Sequence, residues 1–530
     1  MSARRPHNWL PVRRDNLLPL LRRIPATFTA LIPAVAVIAA GTLVHWRVVH
    51  YPFIQDDWQS FARIAFDSPS RFLASEISPI GKVLYRPLGS LWFLVAFYVF
   101  DLNATTLHTA ALIIHLANSL LVVRVIRIIT GDSLIAWATG VFYAAAARVH
   151  MEPLLWASGV YDVGGMFLFL LSLVLFFTGR HRSSALVYAA ALALKESVLP
   201  CLVVFAAYAV LRRETMRTTE RVTAALRDVW LHGTFVVCSL SLKRLGVPQA
   251  ALPSTHPYKI SVIGAHVWAH VALYSRWIIE AIVPWWNVSA AVALWSSLAV
   301  LAAAAAASCV CRTARARHPE LLLLAWAIAG LAPFLCLPNH AYRYYLTFPL
   351  PAILALSLWT FATLARQLWS HESAIVAVIA AGTGASVAAS MLYFQQIERR
   401  GLRQPYIEGT SALVQRAHTV RIVQAGLLRL HPSLPPGSML LFKDVDVWAF
   451  HKNDGPRLWY RDPSLRVYDA RFLRNGPQGP YLEKPPETQT EEYIGGTRDV
   501  PLGDAPIFMF SMGEHQLHET TFAPDGSRAD

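Results

Sequence analysis

Long apolar runs separated by short clusters of arginine constrain this chain more than any other feature. The first run, "ATFTALIPAVAVIAAGTLVHW" at residues 26–46, follows Arg4, Arg5, Arg13, Arg14, Arg22 and Arg23. A run of about 20 apolar residues is what a helix needs to cross a bilayer. Similar runs recur at 105–123, 133–149, 159–178, 184–195, 198–211, 229–245, 288–310, 320–337, 345–366 and 372–394, eleven in all. Only 15% of the 530 residues are charged, against roughly 25% in soluble domains. The pattern predicts an α-helical polytopic membrane protein.

The charges set an orientation. With the N-terminus inside, the inner loops carry Arg124 and Arg127, then Arg180 and Arg182, then "RRETMRTTER" at 212–221, then Arg312, Arg315 and Arg317, then Arg366. This is the positive-inside asymmetry. The net charge of +14 is spread among these loops and forms no single patch, which argues against nucleic acid as a partner and for membrane lipids. The first run lacks a small-residue cleavage site and reads as an anchor. Two further apolar segments, 87–101 and roughly 261–286, must stay on the outer side to preserve the alternation; their Trp and Tyr content predicts helices in the outer interface. Lys243 and Arg244 then fall outside, against the trend. None of the five cysteines lies in the polar tail, so no disulfide framework is implied.

Three regions follow: a basic cytoplasmic N-terminus (1–26), a membrane region (27–394) and a polar, proline-rich C-terminal region (395–530). In the last, "SMLLFKDV", "RLWYRD" and "SLRVYDARF" predict short strands of a small α/β domain on the outer side.

With this threading the unusual polar groups collect at the outer ends of the spans. The first loop carries Asp56, Asp57, Glu76, Lys82 and Arg86. "ARVHMEPLLWASGVYD" brings His150, Glu152 and Asp162, "ALKESVLP" brings Lys195 and Glu196, and "LPNHAYRYYLTFP" brings His340, Arg343 and Tyr344. Ionisable groups near or within spans are costly, so a functional site is their default reading. A carboxylate can take a proton from a hydroxyl, and Arg or Lys can hold a phosphate. Together they suit transfer of a group from a lipid phosphate to an alcohol. Asp56 and Asp57 are also the candidate ligands of a divalent cation, Mg²⁺ or Mn²⁺. The plainer readings are a solvated acid pair for Asp56 and Asp57, a solvated helix-end acid for Glu152, a structural hydrogen-bonder for His150 and a snorkelling anchor for Arg86. His108 and His115, seven apart with Asn118 nearby, suit interhelical hydrogen bonding more than ligation.

The order of motifs resembles the GT-C superfamily of membrane glycosyltransferases, and within it the membrane half of the transmembrane O-mannosyltransferases that carry tetratricopeptide repeats. The resemblance rests on Asp56-Asp57 after the first span and on "YRPL" from Tyr85. It continues through "LHTAALIIHLANSLL", "HMEPLLWASGVYD", "KES" from Lys195 and "YRYYLTFP". It covers roughly 27–394; the repeats are absent, and the arginine of the family's Gly-Arg-Ala-Asp run is replaced between Gly159 and Asp162. The resemblance implies a sugar donor on a polyprenyl phosphate, a first-loop acid as catalytic base, and juxtamembrane helices matching the two interfacial segments. Asp56, Asp57 and Glu152 are then the candidate catalytic residues, with Asp56 as base and Asp57 on metal or acceptor, or the reverse. Arg86, His150, Asp162, Lys195, Arg343 and Tyr344 are the candidate substrate-binding residues. The expected acceptor is a hydroxyl of a protein, glycan or lipid, and the expected location a bacterial inner membrane with the site facing the periplasm. The rival readings are a transporter or lipid-linked-sugar flippase, which calls for broken midplane helices and related halves, and a non-enzymatic assembly protein.

Overall fold

The computed structural model describes residues 26–213, 216–285, 287–311, 318–401, 410–476, 479–483, 500–501, 505–513 and 516–520. The basic N-terminal segment before residue 26 and Arg312, Arg315 and Arg317 lie outside them.

Helix α1 (Ala26–His45) leads through a 3-10 turn into three first-loop helices, α2 (Asp56–Phe66), α3 (Pro69–Ile77) and α4 (Pro87–Phe100). Then come α5 (Ala104–Thr130), α6 (Ser133–Ala145), α7 (Ala147–Leu155), α8 (Val160–Phe177), α9 (His181–Leu194), α10 (Leu202–Leu211) and α11 (Thr218–Arg244). The remaining helices are α12 (Ala265–Ile282), α13 (Ala290–Cys311), α14 (Pro319–Leu335), α15 (Leu350–Leu368), α16 (Glu372–Gly401), α17 (Thr410–Leu430) and α18 (Asp454–Tyr460). The apolar segments read from the sequence fall on these helices, with 133–149 divided between α6 and α7 and with 198–211 and 345–366 starting in 3-10 turns; the two segments expected at the interface carry α4 and α12.

The chain is a multi-pass membrane protein. Among the described residues five segments are long and apolar enough to cross a membrane by length and composition: Ile32–His50, Ala104–Thr130, Ala157–Phe177, Ala290–Cys309 and Glu372–Arg400. This is fewer than the eleven crossings expected. Ser133–Ala145, Glu196–Leu211 and Pro319–Leu335 are apolar but shorter, and α11 carries charges at both ends.

Local chemistry explains the turns. Asn103 caps α5 by accepting from the Thr106 N–H at 3.1 Å, and Gly131, at φ 69°, ends it in the left-handed conformation. Asp132 then caps α6 through the Leu134 and Ile135 N–H groups, folding α5 and α6 into a hairpin. Interhelical bonds follow as expected: His108 Nδ1 to the Leu154 carbonyl, His115 Nε2 to the Ala144 carbonyl, and Asn118 Nδ2 donating to the Val163 carbonyl at 2.8 Å.

The C-terminal region forms a sheet in the order β2 (Arg466–Asp469), β1 (Met439–Lys443), β6 (Ile507–Met512), β7 (Leu517–Glu519). Strand β1 is parallel to both neighbours and β7 is antiparallel to β6. Met439 to Phe442 are all buried, as a central parallel strand with both faces covered requires. Strands β3 (Leu473–Gly476), β4 (Gly479–Leu482) and β5 (Val500–Pro501) make a separate antiparallel sheet. "RLWYRD", expected as a strand, is mostly helix α18. Pro456 in its first turn presets φ for a helix, and Arg461 at φ 53° closes it.

The expected boundary at 394 is crossed by α16 without interruption. One apolar core joins Phe53, Trp58, Phe61, Phe72 and Phe93 of the first loop to Val420, Leu440, Phe450 and Phe510. Trp58 meets Trp459 edge to face at 5.5 Å, the Gln55 N–H donates to the Ala449 carbonyl, and Arg421 donates to the His50 carbonyl. The C-terminal region thus braces the loop that carries the paired acids.

Candidate active site

The paired acids have opposite surroundings. Asp56 and Asp57 open α2 just after Gln55, whose φ of 52° is unfavourable for a residue with a Cβ. Asp57 is fully buried. Its Oδ1 accepts from the Ser158 N–H at 2.8 Å and the Ser158 hydroxyl at 2.9 Å. Its Oδ2 accepts from the Ile54 and Ala157 N–H groups, both at 3.2 Å. Burial pushes its carboxyl up to about 7 against those four donors. The partner turn, Ala157–Gly159, depends on a glycine: a Cβ on Gly159 would stand 1.9 Å from the Pro153 carbonyl oxygen. Asp57 therefore ties the first loop to the entry of α8. It does not face the cavity, contrary to its expected role in catalysis or metal binding.

Asp56, one residue earlier, is exposed and lines a cavity of about 230 Å³. Arg86, Asp162, Lys195 and Tyr344 line the same chamber, as do Glu76, Ser158, Tyr161 and Tyr258. A Cβ on Gly89 would overlap the Tyr161 ring, 1.9 Å from its nearest carbon, so the absence of a side chain there lets that ring stand in the wall.

The cations are held by carboxylates from distant parts of the chain. Arg86 Nε donates to Glu196 Oε2 at 2.8 Å and its Nη2 to Oε1, a two-point pair. Lys195 Nζ donates to Asp162 Oδ2 at 3.0 Å, while Asp162 Oδ1 has no partner among the described residues. Lys195 also lies 5.9 Å and 5.7 Å from the Tyr344 and Tyr345 ring centres, and Arg86 lies 5.2 Å from that of Tyr161, within cation–π range. Glu76 gathers Arg63 at 2.6 Å, Lys82 at 2.7 Å and the Ser90 hydroxyl at 2.7 Å. Burial opposes its ionisation, but these partners prevail and lower its carboxyl to about 2. Burial raises the Tyr258 hydroxyl to about 12, keeping it protonated.

A second cavity of about 660 Å³ abuts the first and shares Leu84, Arg86, Lys195 and Tyr258 with it. Its wall is largely apolar, with Leu199, Leu240, Val247, Ile260, Phe334 and Leu337. Lys82, Arg86, Lys195, Lys243 and Arg244 stand along it against one carboxylate, Glu196. Lys243 and Arg244, which run against the charge asymmetry of the sequence, are thus lining groups of this groove.

Besides Asp57, three expected residues lie outside both cavities. His150 is buried with His45, His115 and Tyr143, its ring 4.4 Å from that of His115; it lines neither cavity because its face of the short α7 turns into the helix core. Arg343 Nη2 donates to Glu280 Oε2 at 3.2 Å, so its neighbour Tyr344 reaches the chamber and it does not. Glu152 is half-buried outside both linings; burial raises its carboxyl to about 7 in spite of Arg343. Sequence reasoning missed Tyr161 and Tyr258 as wall residues, and Lys243 as a groove cation. Among the described residues no group of three or more His, Cys, Asp or Glu side chains could hold a metal ion. With both Asp57 oxygens occupied, the Asp56–Asp57 pair does not fit the expected Mg²⁺ or Mn²⁺ site.

No family model matches the chain, and no curated protein matches it. The structure is similar to the crystal structure of ArnT from Cupriavidus metallidurans bound to undecaprenyl phosphate. That likeness has 15% sequence identity and a TM-score of 0.48 over 84% of this chain and 86% of the other.

Proposed function

We propose that this protein is a GT-C-type membrane glycosyltransferase that moves a sugar from a polyprenyl-phosphate carrier to an acceptor hydroxyl. One observation carries the reading: an acid-bearing polar chamber shares the wall formed by Leu84, Arg86, Lys195 and Tyr258 with an apolar groove lined by cations. A lipid phosphate has this divided character, and its linked sugar belongs at the junction. The polyprenyl chain lies along Leu199, Leu240 and Phe334. Its phosphate meets Lys243, Arg86 and Lys195 at the groove mouth, and the sugar enters the chamber beside Asp162, Tyr161 and Tyr344.

Transfer is a single displacement with inversion. The acceptor oxygen attacks the anomeric carbon and its proton passes to the Asp56 carboxylate. The bond from that carbon to the carrier oxygen breaks, and its electron pair stays on the phosphate. Arg86 and Lys195 stabilise the growing charge there, and Asp57 holds α2 so that Asp56 stays at the chamber. Glu76 keeps Arg63 in the chamber wall and Lys82 in the groove wall. The location that fits is a bacterial inner membrane with the chamber towards the periplasm, the same side as the C-terminal region.

A photoreactive polyprenyl phosphate tests the donor half. It is expected to label peptides containing Leu240 and Phe334, equally in the wild type and in Asp56→Asn. Labelling spread over α13 or α16, with the groove untouched, would remove the basis of the reading.

A further inference from the structure

A second charged cluster stands outside both cavities. Glu280, on α12, is fully buried, and three guanidiniums converge on it. Arg148 Nη1 donates to Oε2 at 2.6 Å, Arg343 Nη2 to the same oxygen at 3.2 Å, and Arg276 Nε to Oε1 at 2.7 Å. They come from α7, from the turn before α15 and from α12, so the cluster joins three parts of the chain. Arg148 lies 4.7 Å from the Tyr393 ring centre and Arg343 lies 5.1 Å from that of Trp277; these rings hold the guanidiniums in place.

One arginine would neutralise Glu280. Two more leave an excess of positive charge at a site where Arg148 and Arg343 are 16% and 25% exposed. Desolvated charge without a counter-charge is costly, and Nε of both Arg148 and Arg343 is buried with no partner among the described residues. Among the described residues Glu152 is a further carboxylate that acts on Arg343, and burial keeps this half-buried acid from being a full counter-charge at neutral pH. Arg276 and Arg343 remain reachable from outside, at 34% and 25% exposure. Planar guanidiniums around a vacant charge balance match the oxygens of a phosphate or carboxylate.

The cluster is next to the chamber yet separate from the donor groove. Arg343 adjoins Tyr344 in the chamber wall, and Glu152 senses both Arg343 and Asp162. None of the three arginines lines the groove. We infer that Arg148, Arg276 and Arg343, gathered on Glu280, form an oxyanion-binding site that holds a phosphate or carboxylate of the acceptor. The assignment to the acceptor rests on the proposed glycosyl transfer; the oxyanion chemistry does not.

The test uses the full chain in nanodiscs of neutral phosphatidylcholine, with empty nanodiscs as control and ligand-observed NMR. The probes are glucose 6-phosphate, glucuronate and glucose. The two anions are expected to bind and glucose is not. Arg276→Gln, which leaves the Arg148 and Arg343 pairs to Glu280 in place, weakens the anions by about tenfold or more, and Arg276→Lys restores part of the loss. Polyprenyl phosphate does not displace the probes, and Lys243→Gln does not weaken them. Asp56→Asn keeps probe binding whatever happens to turnover, so failure of the transfer reading and failure of this site are told apart. Equal binding of glucose, indifference to Arg276→Gln, or displacement by polyprenyl phosphate each overturns the site. Loss of the probes when phosphatidylglycerol is added to the nanodisc assigns the cluster to bulk lipid headgroups and overturns its assignment to the acceptor.

Discussion

Asp56 and Asp57 are neighbours in the sequence with different expected fates on the same substitution. In Asp57→Asn one carboxylate oxygen becomes an NH₂ group that can only donate. Placed at Oδ2, it leaves the Ile54 and Ala157 N–H groups facing a donor; placed at Oδ1, it leaves the Ser158 N–H so, although the Ser158 hydroxyl can turn and accept. At least one buried N–H is orphaned either way, at about 1–3 kcal/mol, and because burial already disfavours the Asp57 charge, losing that charge adds no further cost. A total of about 1–3 kcal/mol follows, a sizeable part of the ~5–15 kcal/mol that holds a typical domain folded. Thermal unfolding of the purified chain, followed by tryptophan fluorescence at pH 8, reads this directly. Asp57→Asn should melt several degrees below the wild type, with activity falling only as far as folded protein is lost. Asp56→Asn, at an exposed position, should melt closer to the wild type than Asp57→Asn does. An Asp57→Asn protein that is fully stable but inert would refute the division of labour and return Asp57 to the chemistry.

Four other outcomes follow from the same geometry. Asp56→Asn should lower turnover by about a hundredfold or more, the usual scale for a lost general base, with donor binding retained. Lys243→Gln combined with Arg244→Gln should weaken polyprenyl phosphate by about tenfold, and more steeply at low salt than at high salt, as a binding titration across ionic strength will read. Gly159→Ala forces Pro153 or the turn to move and should cost about 1–3 kcal/mol in the same melts. Glu76 is held near 2 when folded, below its ordinary 4.5; its stabilising contribution is therefore complete above about pH 4.5 and lost as pH falls towards 2, and Lys82→Ala should move the start of acid unfolding to higher pH.

Much of this site was legible before any coordinates because charge beside an apolar run is expensive. Lys195 separates two such runs, Asp162 and Tyr344 sit at span ends, and Arg86 precedes the apolar segment 87–101 in the first loop; all four meet Asp56 in one chamber. The partners were harder to foresee. Arg86 and Glu196 are 110 residues apart, and their pairing depends on how α4 and the turn before α10 meet. Position at a span end misled at α7, where Glu152 and His150 were both expected in the site and neither lines the cavity. This helix has only nine residues and follows a turn at Ala146 outside helical geometry, so span ends alone do not set its facing. Arg343 failed for a similar reason: Arg343 and Tyr344 point to different neighbours within a single 3-10 turn. Lys243 and Arg244 looked like exceptions to a charge rule because the groove they line is made by segments remote from α11. Periodicity also gave no warning that "RLWYRD" would be helical; the signal lay in the preceding Gly455-Pro456.

Release of polyprenyl phosphate from polyprenyl-phosphate-linked sugars is the most direct test of the whole account. The full chain, reconstituted and offered a panel of such donors with hydroxyl acceptors, is expected to free the lipid phosphate with one of them, while Asp56→Asn frees it about a hundredfold more slowly or worse at matched donor occupancy. A folded wild-type chain that binds polyprenyl phosphate yet releases none across the panel, or an Asp56→Asn chain that works at the wild-type rate, would contradict it.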